Sequence, residues 1–422
     1  MAYLPPHKRH PTSSTASTST PTPAPSPPPP SLSSSLRSLS LSSPRGRGRG
    51  YGAGGRHPRH STKIIHAAGC ISRWSPFPPF APGAAGEEPT LRLEPFPCVP
   101  IERKTGAKPL ALVASTQGQG SSGSTEAAVT AIVERFLPAL LAAAERARAG
   151  DAPSDELVKL SLVARVGKVL FQCQPGEPPV SLDTLRQAAT SGGDDLTSQL
   201  HKLFYTTVPI ECLYNMEQSV VKTLGLEFDS SKKHYHVKVF DKHRIDSTMS
   251  CKCTLREDGK LAIHKVELNQ VRHLVEDISC LFKNLDLRLA LCRKRILKNL
   301  DSEVENAIKS LVSAAIIDPN VKGGLRWPLG KESIGERFNI VGVWHTDYKA
   351  FRNETMRLKL RHADRFDHRS STGEVANEVT FKLTRMSRKL EDGDLDENSL
   401  KEMLESAVQM VCENALNYQI LP

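Results

Sequence analysis

The first 86 residues contain no acidic side chain: the first is Glu87, and ten of the 56 cations precede it. The remaining residues carry 46 cations against 46 anions, so the body of the chain is neutral although the net charge is +10. An argument from charge to a nucleic acid or an anionic membrane surface therefore depends on the N-terminal segment.

Long apolar runs and paired cysteines are also missing. No run of about 18 apolar residues occurs, so we expect no membrane association. The nine cysteines form no CxxC pair and follow no secretory segment, which predicts free thiols in a reducing compartment. A hairpin would place His264 opposite Cys251 and Cys253, and all three are zinc-ligand types, but metal sites usually use wider cysteine spacing. We expect core packing there, and neither a metal nor a cofactor.

Catalytic motifs are absent: there is no GxSxG, no Walker loop, no HExxH and no GxGxxG, so no catalytic residue is assigned. Metal-dependent triphosphate hydrolysis on an antiparallel barrel generally needs paired glutamates two apart on a strand, whereas Lys265-Val266-Glu267 offers one. One carboxylate holds Mg²⁺ poorly without substrate. Gly323-Gly324 could contact phosphate and His345 could be a base, although a turn and a local hydrogen bond are commoner roles for these residue types.

What is present first is a low-complexity segment. Residues 1–120 are rich in Ser, Thr, Pro and Gly, which predicts a long disordered basic N-terminal arm. Arg45, Arg47, Arg49 and Tyr51 form an Arg-Gly segment that could bind RNA by phosphate contacts and stacking, or could be a plain basic linker. The acid-free, Ser-rich composition is also typical of a transit peptide. We expect a location in the nucleus or cytoplasm, with the chloroplast or mitochondrion as the alternative.

Two resemblances come from short motifs. The opening residues Tyr3, Leu4, Pro5, Pro6, His7, Lys8 and Arg9 resemble the YxPPHxR segment of certain DEAD-box RNA helicases, which implies a peptide that docks onto a protein partner. The opening MAYLPPHKRH together with KGGLRWPLG, VGVWHT and MRLKLRHADRFDHRSSTGE resembles a plant family of uncharacterised proteins. That resemblance implies a C-terminal domain over most of residues 200–422 and lends no catalytic residues.

Hydrophobic periodicity predicts the folded part. Helical spacing predicts helices over 127–148, 154–171, 209–224, 269–282 and 400–411, with shorter ones after Ser181 and Asp194 and one capped by Asp301. Residues 375–390 also have helical spacing, although 379–383 could extend the sheet. Alternation predicts strands over 235–240, 247–257, 260–268 and 285–291, with Asp258-Gly259 as a hairpin turn. We predict an α+β domain over 204–422, an antiparallel sheet with packed helices, preceded by a helical segment over 121–203.

The densest basic stretch lies on two further predicted strands, 337–344 and 355–362. On the second, Met356, Leu358 and Leu360 alternate with cations, so one face is apolar and the other basic. These cations could be the solvated face of an edge strand, and Asp364 and Asp367 could pair with the cations that follow. Our main hypothesis is a non-enzymatic RNA-associated or protein-binding adaptor. The alternatives are an organelle-imported protein and a phosphate-chemistry enzyme, which would place Arg288, Arg357, Lys359 and Arg361 on one sheet face around a metal held by carboxylates. The predicted contacts on this stretch are Arg357, Lys359, Arg361, Arg365 and Arg369.

Overall fold

A computed structural model describes residues 64–80, 91–114, 123–150, 155–172, 180–190, 200–243, 248–394 and 396–418. In chain order the elements are β1 Ile64–Phe77, β2 Leu91–Pro95, α1 Val99–Thr105, β3 Leu110–Ala114, α2 Gly123–Ala149, β4 Glu156–Phe171, α3 Leu182–Thr190 and β5 Lys202–Tyr205. Next comes α4, built of Ile210–Asn215, a π-helical turn Met216–Val220 and Val221–Thr223.

The C-terminal half continues with β6 Glu227–Asp241, β7 Thr248–Leu255, β8 Leu261–Glu267, β9 Gln270–Cys280, β10 Asp286–Leu297, α5 Ser302–Ser313, β11 Ile316–Ile317, β12 Leu325–Arg326 and β13 Ser333–Ile334. It ends with β14 Phe338–Arg352, β15 Met356–Asp367, β16 Thr372–Leu383, α6 Thr384–Asp392 and α7 Glu397–Asn414. The prediction of an α+β fold on a mostly antiparallel sheet is confirmed.

The main sheet closes on itself. Its strand order runs β10-β8-β7-β6-β14-β15-β16-β4, and β4 then pairs with β10 over twelve positions from Asp286↔Gly167 to Leu297↔Glu156. Between β10 and β8 the contact is short, with Ile296 opposite Glu267 and the amide of Leu268 donating to the carbonyl of Arg295 at 3.0 Å. The result is an eight-stranded antiparallel barrel, because every strand of this cycle has a partner on both sides.

Two hydrophobic clusters pack against the outside of the barrel. The larger joins α2, α6 and α7 to outward side chains such as Leu162, Leu358 and Phe381. The second joins α5 to Cys251, Cys253 and neighbouring apolar residues of β6, β7, β8 and β14. Since successive side chains of a strand point to opposite faces, the residues that alternate with these apolar ones point into the barrel. We call this interior the lumen.

Two predicted helices are strands, and both predictions are wrong. Residues 154–171 form β4, and residues 269–282 contain β9. In β4, Leu162, Ala164 and Val166 pack on the helices outside, while Val163 is buried in the lumen wall. Val163 interrupts an alternation of apolar and other residues that otherwise runs from Leu160 to Gly167, and apolar residues of this strand also recur at helical spacing. The range 121–203, predicted to be helical, therefore contains the helices α2 and α3 but also strand β4 and the start of β5.

The N-terminal boundary also moves. Strand β1 pairs in parallel with β9 over two register blocks, from Ile64↔Gln270 to Phe77↔Cys280, and β2 and β3 form an antiparallel pair. These strands lie within the range predicted as a disordered arm, so the prediction does not hold for residues 64–77, 91–95 and 110–114. Trp74 is 1% exposed, and its indole donates to Ser279 at 2.9 Å, which anchors β1 on the barrel.

Other predicted elements are confirmed. Asp301 caps α5, its side chain accepting from the amide of Glu303, and Asp258-Gly259 forms the turn between β7 and β8. Residues 372–383 extend the sheet before α6 begins at Thr384. Helix α2 continues through Pro138; by length and composition it is apolar enough to cross a membrane, but its apolar side chains are used in the larger cluster. The short helix predicted after Asp194 lies outside the described residues.

Candidate functional site

The basic row of β15 lies inside the barrel. Met356, Leu358 and Leu360 belong to the outer cluster, so Arg357, Lys359 and Arg361 point into the lumen. The charge of Lys359 interacts with those of Lys252 on β7 and Lys294 on β10. These strands are not neighbours of β15, so the three ammonium groups meet across the interior. The expectation of a solvated edge-strand face is wrong, because both edges of β15 are paired.

Four other strands contribute cations to the same interior. Each alternates with outward residues: Arg165 with Ala164 and Val166, for example, or Lys252 with Cys251 and Cys253. Five of the inward cations form no ion pair with a carboxylate in the part of the chain that the structure describes. We call them the lumen cations: Arg165, Lys252, Lys294, Lys359 and Lys382.

Burial and mutual repulsion make protonation of these lysines costly. Burial, together with the charges of Arg361, Lys252 and Arg357, lowers the pKa of Lys359 to about 6. Burial lowers the pKa of Lys294 to about 8, with neighbouring lysines adding to the effect and Glu267 opposing it. The ammonium of Lys359 also lies 3.3 Å from the centre of the Tyr348 ring, which compensates part of the lost hydration.

Other cations of the lumen are held by carboxylates. Arg361 donates to Glu378 at 3.0 Å and Arg365 donates to the same carboxylate. Lys265 lies 2.6 Å from Glu267 within β8. The guanidinium of Arg357 lies 2.5 Å from the carboxylate of Asp229 on β6. These pairs fix the guanidinium groups in place and leave the lumen with more cations than anions.

One end of the lumen opens into a cavity of about 220 Å³. Trp344 lies in its wall, with the ammonium of Lys238 4.4 Å and the guanidinium of Arg365 5.5 Å from the ring centre. Burial and the charges of Arg369 and Arg365 lower the pKa of Lys238 to about 7. Arg369 lies in the hairpin between β15 and β16, 3.5 Å from Asp367, at this mouth rather than inside. Lys238, Arg365 and Arg369 thus place positive charge around this mouth.

Sequence reasoning named the β15 part of this site and Arg288 of β10, which the structure pairs with the buried Asp277. It missed Arg165, Lys238, Lys252, Lys294 and Lys382. The signal that could have found them is a lone cation between two outward apolar residues, as in Cys251-Lys252-Cys253. That pattern is as typical of an exposed strand face, so only closure of the sheet distinguishes a lumen from a surface.

The other candidates have structural roles. Gly323 has φ +79°, and a Cβ there would come within 2.5 Å of Val343, so the glycine pair permits close packing. The ring of His345 stacks on Tyr235 at 4.7 Å between centres. Cys251 and Cys253 are buried in the second cluster, and His264 lies 3.0 Å from the carbonyl of Lys252. No group of three potential metal-ligating side chains occurs within the described ranges.

The predicted RNA contacts of the arm and the docking peptide lie outside the described residues. They comprise Arg45, Arg47, Arg49 and Tyr51, and Tyr3 to Arg9. Cleavage of the arm, the location of the protein and its plant origin stay predictions.

A family model described as a domain of unknown function, DUF7903, matches residues 58–415. The chain belongs to this family. The resemblance to an uncharacterised family is thereby confirmed, and the DUF7903 match begins just before β1, in agreement with the corrected boundary. No curated protein matches the sequence significantly.

Several solved structures are similar in fold to the DUF7903 domain. Pct1 RNA triphosphatase of S. pombe has a TM-score of 0.37 and 9% identity, covering 69% of this chain and 93% of that one. The same protein in complex with the Spt5 CTD has a TM-score of 0.38 and 8% identity, with coverages of 69% and 94%. A putative adenylate cyclase from Bacillus halodurans has a TM-score of 0.21 and 13% identity, with coverages of 46% and 87%. No residue role is transferred from them.

The adaptor hypothesis is wrong. It placed partner binding on an open strand face, whereas four of the five cations it named on β15 and beyond point into a closed barrel. This closed arrangement favours the alternative that was weighed beside it, phosphate chemistry on the same cations.

Proposed function

We propose that the protein is a phosphate-chemistry enzyme that binds the phosphate chain of a polyphosphorylated substrate in the lumen. The observation that carries this proposal is the set of five lumen cations that form no ion pair with a described carboxylate. A charge that is partly removed from water without an ionic partner destabilises the fold, and these five are all half-buried. A polyanion in the lumen offsets this cost because its oxygens supply the missing partners.

The shape of the lumen narrows the class of ligand. The interior of an eight-stranded barrel is just wide enough for side chains or one small ligand. Alternate residues of a strand lie about 7 Å apart, so Arg357, Lys359 and Arg361 form a line of positive charge along β15. A thin, linear anion fits this line, and a phosphate chain is one. A nucleic-acid duplex or a folded peptide is too wide to enter.

The same cations suit the chemistry of phosphoryl transfer. That reaction depends on positioning and on stabilising the negative charge that develops on the transferred and leaving groups. Lys252, Lys294 and Lys359 approach the lumen from three different strands and would surround a bound chain. The guanidinium of Arg361, fixed by Glu378, provides an oriented donor. We assign these residues to binding and charge stabilisation, and assign no catalytic base.

A calorimetric titration of the full chain with tripolyphosphate tests the binding step. Lys294→Met removes a lumen cation, and Lys349→Met removes an exposed lysine that pairs with Glu217 outside the barrel. We expect Lys294→Met to weaken binding at least tenfold, about 1.4 kcal/mol, and Lys349→Met to leave it unchanged. Phosphate release from tripolyphosphate, followed in parallel, tests turnover.

Citrate, a compact trianion, is the control for general attraction to positive charge. Equal affinity for citrate and tripolyphosphate would contradict a site shaped for a phosphate chain. Equal affinity of the wild type and Lys294→Met would place binding outside the lumen. Binding without phosphate release from any phosphate-chain substrate would contradict the enzymatic part of the proposal.

A further inference from the structure

Two carboxylates near the lumen cations, Glu267 and Glu378, are already engaged, and Asp277 on β9, which is fully buried, is held by Arg288 and Lys202. Glu267 lies 2.6 Å from the ammonium of Lys265. Burial alone would raise its pKa, but the hydrogen bond from Lys265 and the charges of Lys252 and Lys294 lower it. The carboxylate is therefore ionised, and its charge is used by the cations around it.

Glu378 is engaged more completely. One of its oxygens accepts from Arg361 at 3.0 Å, while the other accepts from Arg365 and from Thr206, the latter at 3.3 Å. Its side chain is 8% exposed. Glu267 is held by Lys265, and Glu378 is held by Arg361 and Arg365, so each carboxylate has its own cationic partners.

A divalent cation fits this donor set badly. Mg²⁺ takes oxygen ligands in octahedral geometry, with one or two carboxylates beside substrate phosphates and water. Here each carboxylate would have to release an ammonium or guanidinium partner, and the incoming ion would meet like charge on the lumen cations. The described residues contain no group of three potential metal ligands. The protein cations themselves occupy the role that a metal ion has in many phosphate sites.

We infer that the lumen binds its phosphate chain through ammonium and guanidinium groups alone, without a divalent metal ion. This inference rests on the proposed function, because it specifies how the same site holds its ligand. It also has a consequence for charge: a phosphate chain already complexed with Mg²⁺ is less negative and should bind less tightly than the metal-free chain.

The test is a titration of the full chain with tripolyphosphate in EDTA and again in excess Mg²⁺, with the wild type and Glu267→Gln. We expect affinity in EDTA to equal or exceed that in Mg²⁺, and Glu267→Gln to bind at least as tightly as the wild type. Electron paramagnetic resonance of added Mn²⁺, with the protein but without anion, should show no bound ion.

The outcomes separate the two proposals. Binding at least tenfold tighter in Mg²⁺, or a Mn²⁺ ion that is bound by the wild type and lost in Glu267→Gln, would overturn the metal-free inference while leaving phosphate binding intact. No binding in either condition would overturn the proposed function itself. If Glu267→Gln does not fold, the comparison of EDTA with Mg²⁺ on the wild type still decides.

Discussion

At the scale of single residues, the lumen contains side chains that destabilise the empty barrel but would favour the binding of an anion. Lys359 lies among other cations, and burial with their repulsion lowers its pKa to about 6. Its only described partner is the ring of Tyr348. Lys359 therefore destabilises the empty barrel, and a bound anion would supply the oxygen partners that it lacks. Its position favours binding rather than folding.

Replacing Lys359 with Met should therefore have opposite effects on stability and binding. Without anion, we expect Lys359→Met to raise the free energy of unfolding by about 1 kcal/mol, because folding forces the lysine either to lose its proton or to keep a half-buried charge, and methionine does neither. Tripolyphosphate affinity should fall at least tenfold. Denaturant titration and calorimetry measure the two effects. The control is Lys349→Met on the outer face, which should change the free energy of unfolding by about 0–1 kcal/mol and leave the affinity unchanged. If Lys359→Met is instead less stable than the wild type, the charge of Lys359 supports the fold.

Protonation of the lumen lysines should depend on the anion. The pKa of Lys359 in the folded chain is about 6, against an ordinary value of 10.5. Between these values the unfolded state binds more protons, so the free energy of unfolding of the anion-free protein should rise with pH from about 6 upward. Lys238 and Lys294 shift in the same direction, to about 7 and about 8.

A bound polyanion favours the charged lysines, so binding should take up protons, and affinity should fall as pH rises above about 6. Calorimetry at one pH in two buffers of different ionisation enthalpy measures the number of protons. Release of protons, or none exchanged, would contradict this assignment of the lumen cations.

At the scale of elements, β4 holds the barrel closed. It pairs with β10 along most of its length but with β16 only from Val379↔Val166 to Lys382↔Val163. Beyond that point β16 gives way to α6, and the next strand amide, that of Leu162, is satisfied by the hydroxyl of Ser387 at 3.0 Å. Ser387 in turn donates to the carbonyl of Leu383 at 2.6 Å. One buried serine thus replaces a strand partner where sheet changes to helix.

Removing that hydroxyl should weaken the closure. We expect Ser387→Ala to lower the free energy of unfolding by about 1–3 kcal/mol, because the buried amide of Leu162 loses its acceptor. Ser313→Ala, which removes an exposed hydroxyl bonded to the carbonyl of Ser310, should cost less than about 0.5 kcal/mol. Equal costs for the two variants, measured by chemical denaturation, would show that Leu162 finds another acceptor.

At the scale of the whole molecule, the fold begins well before the predicted domain. Strand β1 adds a parallel edge to the barrel through β9, and its Trp74 contacts Phe171 on β4 with 5.6 Å between ring centres. The chain therefore needs its first described strand to complete a core that its C-terminal half begins.

Two truncated chains test this boundary. A chain lacking residues 1–57 keeps the whole DUF7903 match, and we expect its unfolding midpoint and tripolyphosphate affinity to equal those of the full chain. A chain lacking residues 1–90 loses β1 and Trp74, and should be destabilised by at least about 3 kcal/mol. If the 91–422 chain is stable and unfolds cooperatively, β1 is not needed for folding, and the boundary predicted from the sequence would be favoured again.

Local signals determined a large part of the architecture. The Asp258-Gly259 turn, the Asp301 cap and the alternation along β6, β14 and β15 depend on neighbouring residues, and the sequence predicts them correctly. It also identifies a basic face on β15. Strands β4 and β9 were not predicted in this way, because their apolar residues also recur every three or four positions, and this helical spacing competes with the alternation.

Whether the β15 cations face solvent or each other was decided only by tertiary structure. Alternation assigns Lys359 to one face of a strand, but the pairing of β4 with β10, about 120 residues apart in the chain, turns that face into an interior. Sequence therefore determined the presence of the charges, and sheet closure determined their environment. Their lowered pKa values, their shared carboxylates and their fitness for a thin polyanion follow from that closure, because a charge confined with its like in a narrow lumen has few partners other than a ligand.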